Sequence, residues 1–200
     1  MTPRRQQILS TAADLFAARG FHGVSVGDIG AAVGVSGPAL YKHFAGKEDI
    51  LGQCLLHASD QLLAGARELL SDGGVRLAVG QPGPDPAAPT AEAAAFAVEA
   101  LIARHADFAL DNPALIVVQE REWGALGADT RAQVRKRQLA YVDVWCDALR
   151  PLRPDLSAEQ ARAAVQAAFG LLNSTPHSAR IGREAMRTLL TTMARAALLP

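Results

Sequence analysis

Two sets of side chains in the first quarter of this 200-residue sequence have types and spacing that could do chemistry. Residues 23–27, GVSVG, carry the Gly-x-Ser-x-Gly spacing of a nucleophile elbow, in which Ser25 would attack an ester carbon from the apex of a sharp turn. Residues 34–47 carry a different set: the hydroxyls of Ser36 and Tyr41, the imidazole of His43 and the ammonium groups of Lys42 and Lys47. Groups of that kind neutralise and hydrogen-bond phosphate, and Ser25 could join them from a helix N-terminus.

The elements that must hold these groups discriminate between the two chemistries. A nucleophile elbow needs a strand before it and a helix after it. Here Ile8, Ala12, Leu15 and Phe16 recur at helical spacing, so a helix over residues 3–19 precedes Ser25, and Gly20 supplies its left-handed stop. No alternating strand rhythm appears anywhere in the chain. Ser25, followed three residues later by Asp28, reads instead as the capping box of a short second helix that opens near Val26 and ends at Gly34.

Gly34 can take positive φ and turn the chain within a few residues. Ser36 or Gly37 then caps a third helix with Pro38 in its first turn, where a missing N–H costs nothing. Leu40 and Phe44, four apart, share the inner face, which leaves Ala39, Tyr41, Lys42 and His43 to point outward. Two short helices meeting at such a corner form a helix-turn-helix, whose second helix enters a DNA major groove.

The stretch ILSTAADLFAARGFHGVSVGDIGAAVGVSGPALYKHFAGKEDIL, residues 8–51, resembles the DNA-binding head of the TetR family of transcriptional repressors. The likeness rests on the order Ala-Ala, Leu-Phe, Gly, Ser, Asp-Ile, Gly-Val-Ser, Leu-Tyr, His-Phe and Lys-Glu and covers about a quarter of the chain. It implies an all-α fold with a three-helix DNA-binding domain over 1–46 and a helical ligand-binding and dimerisation domain over 47–200. It also implies phosphate contacts from Ser25, Tyr41, Lys42 and Lys47. With the rest of the corner, the candidate DNA-contacting set is Ser25, Ser36, Gly37, Pro38, Ala39, Tyr41, Lys42, His43 and Lys47. Two positions depart from the family pattern. Gly37-Pro38 stands where a basic residue and a glycine are frequent, and Gly30 stands where alanine is usual, which loosens the second helix by roughly 0.5–1 kcal/mol.

Bulk properties agree with this reading. Half the residues are apolar but only 5% are aromatic, and alanine makes up the difference, which favours packed helices. Net charge is zero, so a nonspecific nucleic-acid coat is disfavoured. Residues 1–50 hold five cations against four anions, a net of +1, so binding would lean on where the charges sit and on pairing two heads. Arg4 and Arg5 form either a minor-groove arm or a frayed terminus. There is no secretory signal and no apolar run near the ~18 residues of a membrane span, and Cys54 and Cys146 read as reduced thiols, so the chain is expected in the cytoplasm, off the membrane.

Beyond the head the pattern predicts helices over 47–70, 91–110, 113–125, 128–150, 158–174 and 183–198, with a Gly/Pro-rich loop, open to disorder, over 71–89. Phe96, Phe108, Trp123, Tyr141 and Trp145 are the bulky residues among alanines, and with Arg121 they are the candidate lining of a ligand cavity. Gln119, Glu120, Arg121 and Glu122 read either as holding a structural ion pair or as turning one of their number into a cavity, and the basic run 131–138 reads as a solvated face. No histidine shows metal-ligand spacing, so no metal, cofactor or catalytic residue is expected. Ala161, Val165, Ala168, Phe169 and Leu172, with Met186, Leu189, Leu190, Met193 and Ala197, form two stripes suited to a homodimeric four-helix bundle.

The expected protein is a dimeric repressor on double-stranded palindromic DNA, released by a small apolar or acyl-type effector such as an acyl-CoA. The alternatives are a helical interaction module without DNA binding and a serine hydrolase using Ser25.

Overall fold

The computed structural model describes residues 2–72, 90–178 and 180–199. Most of the predicted loop over 71–89 therefore lies outside the described residues, while Ser71 belongs to the helix before it. Among the described residues there are helices and no strands. They group into two compact units, one of Met1–Asp60 with Asn112–Arg137 and the other of Gln61–Asp111 with Gln138–Pro200.

The first unit contains α1 (Pro3–Arg19), α2 (Val26–Val33), α3 (Gly37–Leu40), the first part of α4 (Lys47–Asp72), α6 (Pro113–Arg121), a 3₁₀ turn (Trp123–Ala125) and the start of α7 (Ala128–Leu149). Helix α1 packs against both α2 and α6. Phe16, Ile29, Leu40, Ile50, Leu51 and Leu55 are fully buried in one core with Val118, Leu126 and Val134. The predicted helix over 113–125 is interrupted: Glu122 leaves helical dihedrals at φ −104°, and Gly124 lies within the tighter turn that follows.

Gly30 does more than weaken α2. A Cβ there would stand 2.7 Å from the Val35 carbonyl oxygen, so the bare backbone lets the corner close.

The second unit contains the rest of α4 and α7 with α5 (Ala91–Asp111), α8 (Ala158–Leu172), α9 (Thr175–Ser178) and α10 (Arg183–Leu198). Helix α10 packs on α5 and α8 around Leu101, Ile102, Trp145, Leu149, Val165, Leu172 and Leu190. This corrects the expected dimer stripes. Ala161, Val165, Ala168, Leu172, Met186 and Leu190 are buried in the unit's own core, and Phe169 packs against it. Leu189, Met193 and Ala197 remain exposed. The reason is geometric: an alanine-rich helix has small apolar residues on several faces, and only packing selects which of them turns inward.

Candidate nucleic-acid interface

The corner is built from backbone outward. Helix α2 opens on a capping box in which the Asp28 N–H donates to Ser25 Oγ at 3.1 Å and the Ser25 N–H donates to Asp28 Oδ2 at 2.8 Å. The Ser25 hydroxyl also donates to that carboxylate, at 2.5 Å. These two bonds, side-chain first, hold the Asp28 carboxyl below its ordinary value. The Ser25 proton therefore rests on a carboxylate, and the serine stands between two helices with no strand before it.

At the other end Gly34 sits at φ 69°, ψ 37°, the left-handed conformation the turn requires, and the Val35 N–H closes back on the Gly30 carbonyl at 2.9 Å. Ser36 is the N-cap of α3, but its hydroxyl makes no capping bond. Helix α3 is one turn long, and the chain continues to Phe44 through turns closed by the His43 and Phe44 N–H groups on the Leu40 carbonyl.

Leu40 and Phe44 are buried, as their spacing predicts. On the opposite side Tyr41 is 59% exposed. Ser25, Ser36, Pro38, Lys42 and His43 are exposed too, with Gly37, Ala39 and Lys47 half-buried. The structure thus sets Ser36, Pro38, Tyr41, Lys42 and His43 outward along one short segment anchored by buried Leu40.

Lys47 is placed differently from the rest. Its Nζ donates to the Phe21 carbonyl at 2.7 Å and lies 4.3 Å from the Phe21 ring centroid, so the ammonium fastens the start of α4 to the turn between α1 and α2. The two N-terminal arginines correct both readings offered for them, since neither forms an arm or a frayed end. Thr2 caps α1, and Arg4 donates to the Val33 carbonyl at 2.6 Å. Arg5 donates to the His43 carbonyl at 3.3 Å and to the Gln53 side chain, with its guanidinium 4.5 Å over the Phe44 ring.

The six candidate ligand residues do not form one lining. Arg121 is exposed and Trp123 packs against the core of the first unit, while the other four belong to the second. Phe96 is 61% exposed, because Ala94, Ala97, Val98 and Leu101 take the inner face of α5. Phe108 is half-buried. Gln119, Glu120 and Arg121 are exposed and Glu122 is half-buried on α6, where only Ile116 and Val118 are buried.

Tyr141 and Trp145 are buried together with a residue that sequence reasoning passed over, His105. The His105, Tyr141 and Phe169 rings lie near-parallel, with centroids 4.7–5.8 Å apart, and Trp145 stands edge-on to all three. His105 Nε2 is 3.0 Å from Asn173 Oδ1 and Nδ1 is 3.1 Å from the Tyr141 hydroxyl. Asn173 Oδ1 can only accept, so the proton sits on Nε2 and Tyr141 donates to Nδ1. Burial pushes the imidazole down to about 4, against the pull of the Asn173 bond, and pushes the Tyr141 phenol up. The Trp145 indole N–H lies close to the Tyr141 oxygen without reaching any acceptor in hydrogen-bonding geometry. The available signal was position: His105 is i+4 from Leu101 on the apolar face of α5.

A groove of about 730 Å³ lies between α7 and α8, lined by Cys146, Leu156 and three arginines. Each arginine is paired: Arg162 with Asp143 at 2.5 Å, Arg150 with Asp147 at 2.7 Å, and Arg153 with Asp155 at 2.8 Å. Burial raises the Cys146 thiol, and the Cys54 thiol is pushed up to about 12, so neither is a ready thiolate. Among the described residues no group of three or more His, Cys, Asp or Glu could hold a metal, and no helix is long and apolar enough to cross a membrane.

Comparison with known proteins adds the following. Residues 8–54 match the family described as bacterial regulatory proteins, tetR family, and residues 97–177 match the tetracyclin repressor-like C-terminal domain. The chain is similar to the transcriptional repressor KstR2 of Rhodococcus jostii, 39% identical over 70 residues that cover 35% of this chain and 34% of that protein. It spans about a third of the length of the curated relatives it matches. Its fold is that of a TetR-family regulator from Bordetella parapertussis (TM-score 0.76, 24% identity, 99% of this chain and 95% of that one). It is also that of AibR, solved with isovaleryl coenzyme A and operator DNA (TM-score 0.65, 21% identity, 95% and 97%).

Proposed function

The chain belongs to the TetR family of bacterial regulators, and from that premise we propose that it is a dimeric, ligand-responsive DNA-binding regulator that leaves a palindromic operator when a small apolar or acyl-type effector binds. The observation that carries the reading is the outward segment of Tyr41, Lys42 and His43 set over buried Leu40 and Phe44 at the Gly34 corner. Such a segment can place hydroxyl and cationic groups on phosphates while the first turn of α3 meets base edges. Ser25 is exposed at the start of an eight-residue helix, and its hydroxyl would have to leave the Asp28 carboxylate to reach a phosphate.

One head has a net charge of only +1, so tight binding calls for two. Exposed Leu189 and Met193 on α10 are the apolar surface a second copy would cover. Pairing of that kind sets two recognition helices about one DNA turn, roughly 34–36 Å, apart.

An acyl-CoA or related acyl effector is supported by AibR, whose structure contains isovaleryl coenzyme A and operator DNA. Helices α4 and α7 each belong in part to both units, and α4, which starts just after the outward segment, is the element through which effector and DNA would oppose each other. The opposition is reciprocal, because an effector acts only through its better affinity for the DNA-incompetent state. Such a regulator works in the cytoplasm and needs no catalytic residue.

A gel shift with the intergenic DNA beside the protein's own gene tests the reading. A shift that Tyr41→Ala or Lys42→Ala weakens at every salt concentration is expected. No shift, with Ser25-dependent ester turnover, would replace regulator by hydrolase; no shift and no turnover would leave an interaction module. Mass spectrometry of what co-purifies, followed by its addition to the DNA complex, identifies the effector.

A further inference from the structure

If the chain is the DNA-binding regulator proposed above, α4 needs a fixed setting while DNA is bound, and α5 grips it in a specific way. Gly65 lies in the interior of α4, where glycine is the least favourable residue after proline. A neighbour explains its presence: a Cβ built on Gly65 would fall within the guanidinium of Arg104 itself. Arg104, on α5, therefore rests directly on the bare backbone of α4. From there its Nη2 donates to the Gln61 carbonyl, one turn earlier, at 3.4 Å. All three residues belong to the second unit.

This grip is built to be undone. Arg104 is exposed and makes no ion pair among the described residues, and its bond to Gln61 is a single long one to a neutral carbonyl. The arginines through which α10 meets α5 are tied more firmly, Arg183 and Arg187 to Asp107 and Asp111, and Arg195 to Glu99. A carboxylate or phosphate, which can take both arms of a guanidinium in parallel bonds, outcompetes one long bond to a carbonyl. An effector bearing such a group would draw Arg104 off Gly65. Because effector and DNA oppose each other in this reading, the seated guanidinium belongs to the DNA-competent state.

We propose that Arg104 is a positioning residue: seated on Gly65, it clamps α4 in the setting that DNA binding requires, and leaving Gly65 releases that helix.

Gly65→Ala tests this by filling the seat. Its methyl meets only the far end of a flexible side chain, so Arg104 swings into solvent with its charge intact while α4 gains a better helix former. The thermal midpoint of the full-length protein should hold or rise by up to about 4 °C. Fluorescence anisotropy on an operator selected from a randomised duplex library should nevertheless show affinity weaker by at least about fivefold, the lower end of ordinary coupling between sites. Arg104→Ala empties the same seat from the other side and should lose about as much, and the double variant should lose no more than either single one, because both changes remove one contact. A clamp with a merely structural role would move the melting midpoint and leave the affinity alone. Unchanged operator affinity in Gly65→Ala, or losses that add in the double variant, overturns the proposal and leaves the regulator standing, whereas failure of the unmodified protein to select any site removes both. Should Gly65→Ala melt early, Arg104→Ala decides alone, and unchanged affinity there overturns the proposal equally.

Discussion

The guanidinium of Arg5 lies 4.5 Å over the ring of Phe44, joining the first turn of α1 to the end of the segment that carries Tyr41, Lys42 and His43. The same side chain donates to the His43 carbonyl and to Gln53 on α4. Lys47 mirrors it across the unit, with its ammonium over Phe21. Two cations that could have faced DNA therefore brace the head from inside, and Lys42 is left as the exposed cation of the outward segment.

Arg5→Ala should lower unfolding free energy by about 1–2 kcal/mol, the sum of a partly shielded cation–π contact and a lost charged hydrogen bond. Urea denaturation measures it. Arg5→Lys should recover only part of the loss, because an ammonium cannot hold the carbonyl, the amide and the ring at once. Full recovery by lysine would mean that charge alone matters here.

The corner glycines should respond for different reasons. Gly34→Ala should cost about 1 kcal/mol from the left-handed backbone alone, since a Cβ there meets open space, and Gly34→Asn should cost less. Gly30→Ala has helix propensity in its favour by up to about 1 kcal/mol, yet its Cβ would press on the Val35 carbonyl at 2.7 Å. Net destabilisation is expected in thermal melts; a gain would show that the corner relaxes freely.

This corner was legible in the sequence because its signals are local. Ser25 with Asp28, Gly34, Pro38, and Leu40 with Phe44 each act within four residues, where propensity and capping operate. The braces were not legible, since Arg5 meets residues 38 to 48 positions away. Tyr141 and Trp145 could be paired by their i, i+4 spacing, but the His105, Phe169 and Asn173 that complete their surroundings come from α5, α8 and the residue just after α8. Phe96 was misplaced because alanines on every side of α5 blur which face is apolar, and only packing selects it.

Lys42→Ala should weaken DNA binding to all sequences about equally and make the slope of log affinity against log salt shallower by about one in each head that contacts DNA. Anisotropy titrations over a range of salt concentrations read both quantities. A change in sequence preference, with the slope intact, would move Lys42 from backbone to base.

His105 should make stability fall on acidification. Its folded value, about 4, lies below the ordinary 6.5, so between these pH values the unfolded chain binds more protons than the folded one. The group's contribution is therefore fully present above pH 6.5 and is lost progressively as pH falls toward 4, by up to about 3 kcal/mol. Urea midpoints for the unmodified protein and for His105→Gln, compared over that window, test this. The variant should show the shallower pH dependence whatever its absolute stability, and equal slopes would mean that His105 is protonated in the folded state.

Leu189 and Met193 test the dimer without touching the head. Each is 46% exposed on α10, and they are four residues apart, so they share one face of the helix. Burying the exposed halves of two such side chains against a second copy contributes on the order of 1–3 kcal/mol per subunit, and a carboxylate in their place must be desolvated without a partner. Leu189→Glu with Met193→Glu should therefore yield a monomer in sedimentation equilibrium, with little change in thermal melting at low concentration if the subunit core is intact. Because each head alone has a net charge of only +1, the monomer should also lose operator binding far beyond twofold. A monomer that still shifts operator DNA at the original concentration would show that one head suffices; an unchanged dimer would place the interface elsewhere than on these two residues.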